Sequence, residues 1–149
     1  MTQKLLILLL FLGSPFAHAQ SLVWKTDMND AIMLGVEQKK PLLIFFTAAG
    51  MPQNIQNEIF STPDFAVWSR DNVILVRLDL SDQNISSTAM EQNVRLKTAF
   101  GVEELPQVCF AIASVKKGKT TFNKLGLMPY KPGGAKSWIS QSNLILNPE

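Results

Sequence analysis

The run Leu42-Leu43-Ile44-Phe45-Phe46 constrains the fold more than any other stretch of this 149-residue chain. These consecutive apolar side chains, closed off by Pro41 in front and Thr47 behind, have the length of a strand. Alternate residues of a strand point to opposite faces, so an unbroken apolar run buries both. Strands covered on both faces belong to sheets flanked by helices. Val73 to Leu80 has the same character and follows after two helical patterns. Strands and helices alternating with short links is how parallel neighbours are joined through a crossover. The fold class expected is α/β, a central mixed sheet of about four to five strands flanked by helices.

The intervening segments read accordingly. Met28, Ala31, Ile32, Gly35 and Val36 recur at helical spacing behind a capping Asp27, with Lys39-Lys40 at the favourable end of the helix dipole. Thr47 to Met51 leaves the first strand, and Pro52 is expected at the first position of a helix whose buried stripe is Ile55, Ile59 and Phe60. Thr62-Pro63-Asp64 caps a short helical turn burying Phe65, Val67 and Trp68. Ser81 to Thr88 is polar and aperiodic, a loop. Ala89 to Phe100 is a helix with Val94, Leu96 and Phe100 as its apolar positions, ended by Gly101 as a left-handed cap. Leu105-Pro106 precedes a strand over Gln107 to Ala113; Lys116 to Lys119 turns it into another, Thr120 to Leu125. After a proline- and glycine-rich stretch, Gly126 to Gly134, the helix Ala135 to Leu146 carries Trp138, Ile139, Ser142 and Ile145 on one face.

The N-terminus reads as a signal peptide over residues 1–19: Lys4, then the apolar run Leu5 to Leu12, then the small-x-small signal Ala17-His18-Ala19. The apolar run is far shorter than the roughly 20 residues of a spanning helix, so no stable membrane span is expected after cleavage. The product expected is exported, periplasmic or secreted, with one domain over 20–149.

Loss of that leader decides which chemistries are open. The chain has one histidine, His18, and it lies in the leader. Histidine-based triads, Cys-His pairs and histidine-rich zinc sites are thereby excluded from the mature domain. Basic residues exceed acidic ones by 14 to 12, and Lys4 leaves with the leader, which is too little charge for a nucleic-acid footprint. Lys116-Lys117-Gly118-Lys119 reads as a solvated hairpin tip. Cys109 is the single cysteine and can form no intramolecular disulfide. Glu103-Glu104, Asp79 and Asp82 lack the partners of a metal or glycosidase site, so no metal ligands and no cofactor are expected. Gly133-Gly134 is weak evidence for an anion cradle, and Trp24, Trp68 and Trp138 suit core packing.

The order α-β-α-β-α, a proline-led hairpin and a final helix resembles the thioredoxin fold from Trp24 to Leu146. Phe45-Phe46-Thr47 leading into Asn57-Glu58-Ile59-Phe60, then Ser61-Thr62-Pro63-Asp64-Phe65, resembles exported thioredoxin-like proteins related to disulfide reductases and isomerases. Phe100-Gly101-Val102 followed by Leu105-Pro106 is similar to the helix, Gly-Val, cis-proline signature of that superfamily, and Leu125-Gly126 falls where relatives carry a strand glycine. Those relatives carry Cys-x-x-Cys at the start of the second helix, where amides and dipole stabilise a thiolate. Here the matching pair falls at Pro52 and Ile55, at Ala49 and Pro52, or at Met51 and Asn54, according to the direction of counting. None of these is a thiol, so dithiol chemistry within one chain cannot occur.

The resemblance implies that Pro106 is cis beside the active-site loop, and that Leu105 offers its backbone to an extended peptide. The function expected is therefore redox-inactive binding of protein or peptide segments by Gly50, Met51, Pro52, Gln53, Asn54, Leu105 and Pro106. No catalytic residue is expected. The alternative is thiol-disulfide exchange or isomerisation through Cys109 and an external thiol, which requires an exposed Cys109. That residue otherwise reads as a small core filler.

Overall fold

The computed structural model describes residues 22–149; the leader expected over 1–19 lies outside them. The elements are α1 (Met28–Gln38), β1 (Leu42–Thr47), a π-helical turn (Gln56–Phe60), α2 (Pro63–Asn72), β2 (Ile74–Asp79), α3 (Ser87–Ala99), β3 (Gln107–Lys116), β4 (Lys119–Met128) and α4 (Gly134–Leu146). The strands form one sheet in the order β2-β1-β3-β4, so the apolar run that defines β1 is central. β1 lies parallel to β2, with Leu43 opposite Leu75, and antiparallel to β3, with Ile44 opposite Cys109.

Alternation along β1 divides the core into two layers. Leu42, Ile44 and Phe46 meet Met28, Ala31 and Ile32 of α1 and Phe100 at the end of α3. Leu43 and Phe45 meet Ile55, Ile59, Phe60, Phe65, Trp68 and Trp138, brought by the π-helical turn, α2 and α4. The three tryptophans converge on this second side. Phe60 stands 5.0 Å from Trp24, 4.8 Å from Phe65 and 6.0 Å from Trp138, the separations of favourable aromatic pairs. Two indole hydrogen bonds lock α4 in place: Trp68 Nε1 donates to Asn143 Oδ1 (2.8 Å) and Trp138 Nε1 to the Pro129 carbonyl (3.2 Å).

Local chemistry explains the boundaries. Asp27 accepts from the Asn29 and Asp30 amides to open α1, Thr62 from Phe65 to open α2, and Ser86 from Ala89 to open α3 two residues earlier than the sequence suggests. β3 and β4 are joined by Lys117 (φ 51°) and Gly118 (φ 74°), the two left-handed residues of a tight hairpin. β4 continues past Leu125 to Met128, because a bulge at Leu125 shifts the register and brings Gly126 opposite Phe110. A Cβ on Gly126 would lie 3.0 Å from Ile145 Cγ2, so the missing side chain lets α4 settle against the sheet.

Some sequence expectations are corrected. Pro52 does not open a helix. Gly50, at φ 79°, and the hydrogen bond from the Met51 amide to the Ala48 carbonyl first complete a turn; the first helical bond then runs from Asn57 N–H to the Gln53 carbonyl. Val36, Val67 and Val94 are exposed rather than buried; Ile32, Phe65 and Asn93 face inward on their helices. Leu96 and Phe100 do pack on the core, and Ile139 and Ile145 flank Trp138 and Ser142 as expected.

Trp138 meets Phe60 of the π-helical turn, Phe65 and Trp68 of α2 and Phe110 of β3, so Trp138→Ala is expected to cost about 3–5 kcal/mol, as large aromatic deletions in packed cores do. Denaturant unfolding monitored by circular dichroism checks this; a loss below about 1 kcal/mol contradicts the central place given to this residue.

Candidate functional site

The C-terminal ends of β1 and β2 carry two loops that are tied together. Asp79 Oδ1 accepts from the Ser81 amide (2.8 Å) and hydroxyl (2.6 Å), and Ser81 Oγ accepts from the Ala49 amide (2.7 Å). The Leu80 amide donates to the Thr47 carbonyl (2.8 Å). Asp79 therefore acts as an anchor for the segment that leads to Pro52, a structural task that its type and position alone did not disclose.

Beside that segment, the Leu105–Pro106 peptide bond is cis. Around it lies a shallow depression of about 230 Å3 lined by Pro52, Asn54, Ile55, Glu104, Leu105, Pro106, Gln107, Pro129 and Tyr130. Four expected binding residues meet here: Pro52, Asn54, Leu105 and Pro106. Gly50, Met51 and Gln53 do not line it; Gly50 is exposed, with open space where a side chain would stand, and Gln53 turns its amide back to donate to the Met51 carbonyl (3.2 Å). Of the three placements for the pair replacing Cys-x-x-Cys, only Pro52 and Ile55 has both members on this surface.

The wall formed by Pro129 and Tyr130 is new. Tyr130 Oη donates to Glu58 Oε2 on the π-helical turn, and the carboxylate that accepts this bond holds the phenol above its ordinary pKa. The Trp138 indole holds the Pro129 carbonyl. Tyr130 is the single tyrosine of the chain, which was the available signal, but it sits in a stretch whose prolines and glycines announce only a loop.

The backbone of Leu105 stands outside the hydrogen-bonded frame. Among the described residues its N–H and carbonyl enter none of the backbone hydrogen bonds of the sheet, turns or caps. The pairing of β3 with β1 begins only at Gln107, opposite Phe46.

Cys109 is elsewhere. It lies in the middle of β3 between Ile44 and Leu127, at 0 % exposure. Burial pushes its thiol up to about 11, against a smaller opposing effect of Lys124. The exposed thiol required by the exchange alternative is thus absent, because β1, β4 and the helices above them enclose the sulfur. Among the described residues no group of His, Cys, Asp and Glu side chains could hold a metal ion, and no helix is long and apolar enough to cross a membrane.

No protein-family model matches the chain. A curated protein of Chlamydia pneumoniae, thioredoxin-related protein DsbJ, is 29% identical over 109 residues, 66% of this chain. The chain spans 31% of the length of that relative. The solved structure of a DsbH oxidoreductase superposes with a TM-score of 0.70 at 22% identity, covering 86% of each chain. A thioredoxin from Thermus thermophilus gives 0.59 at 11% identity, over 83% of this chain and 87% of that one. The fold is thioredoxin-like, with a four-stranded mixed sheet flanked by helices.

Native Cys109 is expected to react with a thiol reagent on the order of a hundredfold more slowly than in denaturant. Labelling at equal rates contradicts the burial. Because the folded thiol titrates near 11 and the unfolded one near 9.0, its contribution to stability is complete below pH 9 and is lost as pH rises towards 11. Cys109→Ala should remove that part of the alkaline decline in unfolding free energy; an unchanged decline counts against it.

Proposed function

We propose that this chain is an exported thioredoxin-like protein that binds extended polypeptide segments at the Leu105–Pro106 depression without itself carrying out dithiol redox chemistry. The carrying observation is the backbone of Leu105: a donor and an acceptor without backbone partners, on an apolar shelf beside a helix start. A peptide laid there gains strand-like pairing from Leu105 and side-chain contact with Pro52 and Tyr130. At about 230 Å3 the depression falls below the roughly 300–1,000 Å3 of small-molecule pockets, and suits one or two side chains of a longer segment.

The names of the relatives, a thioredoxin-related protein and an oxidoreductase, favour a disulfide-related setting. Two features favour a binding role within it. Pro52 and Ile55 cannot form a mixed disulfide, and the sole thiol is enclosed with its pKa raised to about 11. Export is supported by the leader expected over 1–19.

Fluorescence anisotropy with a short, cysteine-free, fluorescein-labelled peptide tests this reading. Pro52→Asp and Tyr130→Ala, both outside the core clusters' buried centres, are each expected to weaken binding about tenfold, equivalent to about 1.4 kcal/mol. Binding indifferent to both substitutions places the peptide elsewhere. Reduction of a protein disulfide by added dithiol, accelerated by the wild type and not by Cys109→Ala, establishes the exchange reading instead.

A further inference from the structure

A second concavity, about 1100 Å3, shares no lining residue with the depression at Pro106. It runs along the outer edge of β2, between the segment carrying Trp24 and Lys25, the end of α1, and the start of α2. Trp24, Leu34, Phe60 and Pro63 are among the apolar residues that line it, and its rim leaves Val23 67% and Val67 54% exposed. Exposed valines gathered around one apolar groove mark a binding surface more than scattered ones do.

The charge on this groove has one sign. Among the described residues Lys25, Lys40 and Arg70 line it, and no carboxylate does. Lys40 Nζ donates to the Arg70 carbonyl (2.8 Å), and Arg70 pairs with Asp71 (3.1 Å), which does not line the groove. Lys25 Nζ has no hydrogen-bond or ion-pair partner among the described residues. The main chain of Lys25 already pairs with β2, through its amide to the Leu75 carbonyl (2.8 Å) and its carbonyl from the Arg77 amide (2.8 Å). An added strand therefore finds that part of the edge occupied.

The volume lies just above the range of small-molecule sites, which are mostly apolar with a few polar groups setting orientation, and leaves room for an extended chain. We propose that this groove binds a single-chain anionic amphiphile, a fatty-acid-like carboxylate, with its chain on the apolar floor and its head at the cationic rim. Charge complementarity selects the head group, and the uncovered valines select the chain.

Dodecanoate below its micelle concentration, titrated calorimetrically into the folded protein, is the probe, with dodecylamine as the cationic counterpart of equal chain length. Saturable binding of one dodecanoate is expected, weakened about tenfold by Lys25→Glu and by Val67→Asp, and unchanged by Val94→Asp on α3 outside the groove. Both rim substitutions sit at solvent-accessible positions, and circular dichroism verifies that each variant is folded. Any of four results overturns the proposal: no saturable dodecanoate binding, equal affinity for dodecylamine, equal loss in Val94→Asp, or binding to anionic vesicles without binding to the monomeric carboxylate. A dimer dissociated by Val67→Asp, with no dodecanoate bound, assigns the face to a second copy instead.

Discussion

Packing around Phe60 is the interaction on which the other parts depend. Its ring meets Trp24, Phe45, Phe65 and Trp138, and so joins the N-terminal segment, the central strand and the helical layer at one point. Aromatic pairs add about 0.5–1.5 kcal/mol each to the burial of their large apolar areas. The layer also carries its own polar ties, since both Trp68 and Trp138 place their indole N–H groups on acceptors. Arg77 is drawn into it: its guanidinium lies 4.9 Å from the Trp24 ring and 5.6 Å from the Phe45 ring, and hydrogen-bonds to Gln56. Burial lowers its pKa, an effect the nearby charge of Asp79 opposes, so aromatic faces provide much of the cation's surroundings.

The site inherits its geometry from this layer. Phe60 sets the end of the π-helical turn, whose Glu58 receives Tyr130; Trp138 holds Pro129 one residue away. The opposite wall, Pro52 to Ile55, hangs from β1 and is steadied through Ala49, Ser81 and Asp79. Two independent supports thus converge on the Leu105–Pro106 bond. Both walls of the depression are thereby fixed by hydrogen bonds already present in the fold.

Sequence legibility followed physical cause. β1 and β2 were readable because a strand buried on both faces leaves an unbroken apolar run, and the caps because Asp27 and Thr62 act locally. Helix rotation was less readable. On α3, Val94 is exposed and Asn93 buried, since hydropathy ranks residue types while tertiary packing decides which side of an apolar stripe turns inward. The far wall of the site escaped for a similar reason: Tyr130 gains its role from Glu58, 72 positions away, and no local pattern records such a pair. The resemblance points to the cis bond at Leu105–Pro106 and to its place beside the loop after β1. The sequence leaves the loop register open, and the turn at Gly50 directs Gly50, Met51 and Gln53 away from the depression.

The π-helical turn has a consequence for how this chain can change length. Its defining bond runs from the Ser61 amide to the Gln56 carbonyl, five residues back. Removing one residue between these two converts that bond into an ordinary α-helical one, which needs only four. The wide turn is thus slack in the chain: it can absorb a one-residue deletion while Ile55 stays at the site and Phe60 stays among the aromatic rings. Sequences that differ here by a single residue can therefore share the same anchored ends, and an alignment forced through Gln56–Phe60 without a gap would misplace one of them.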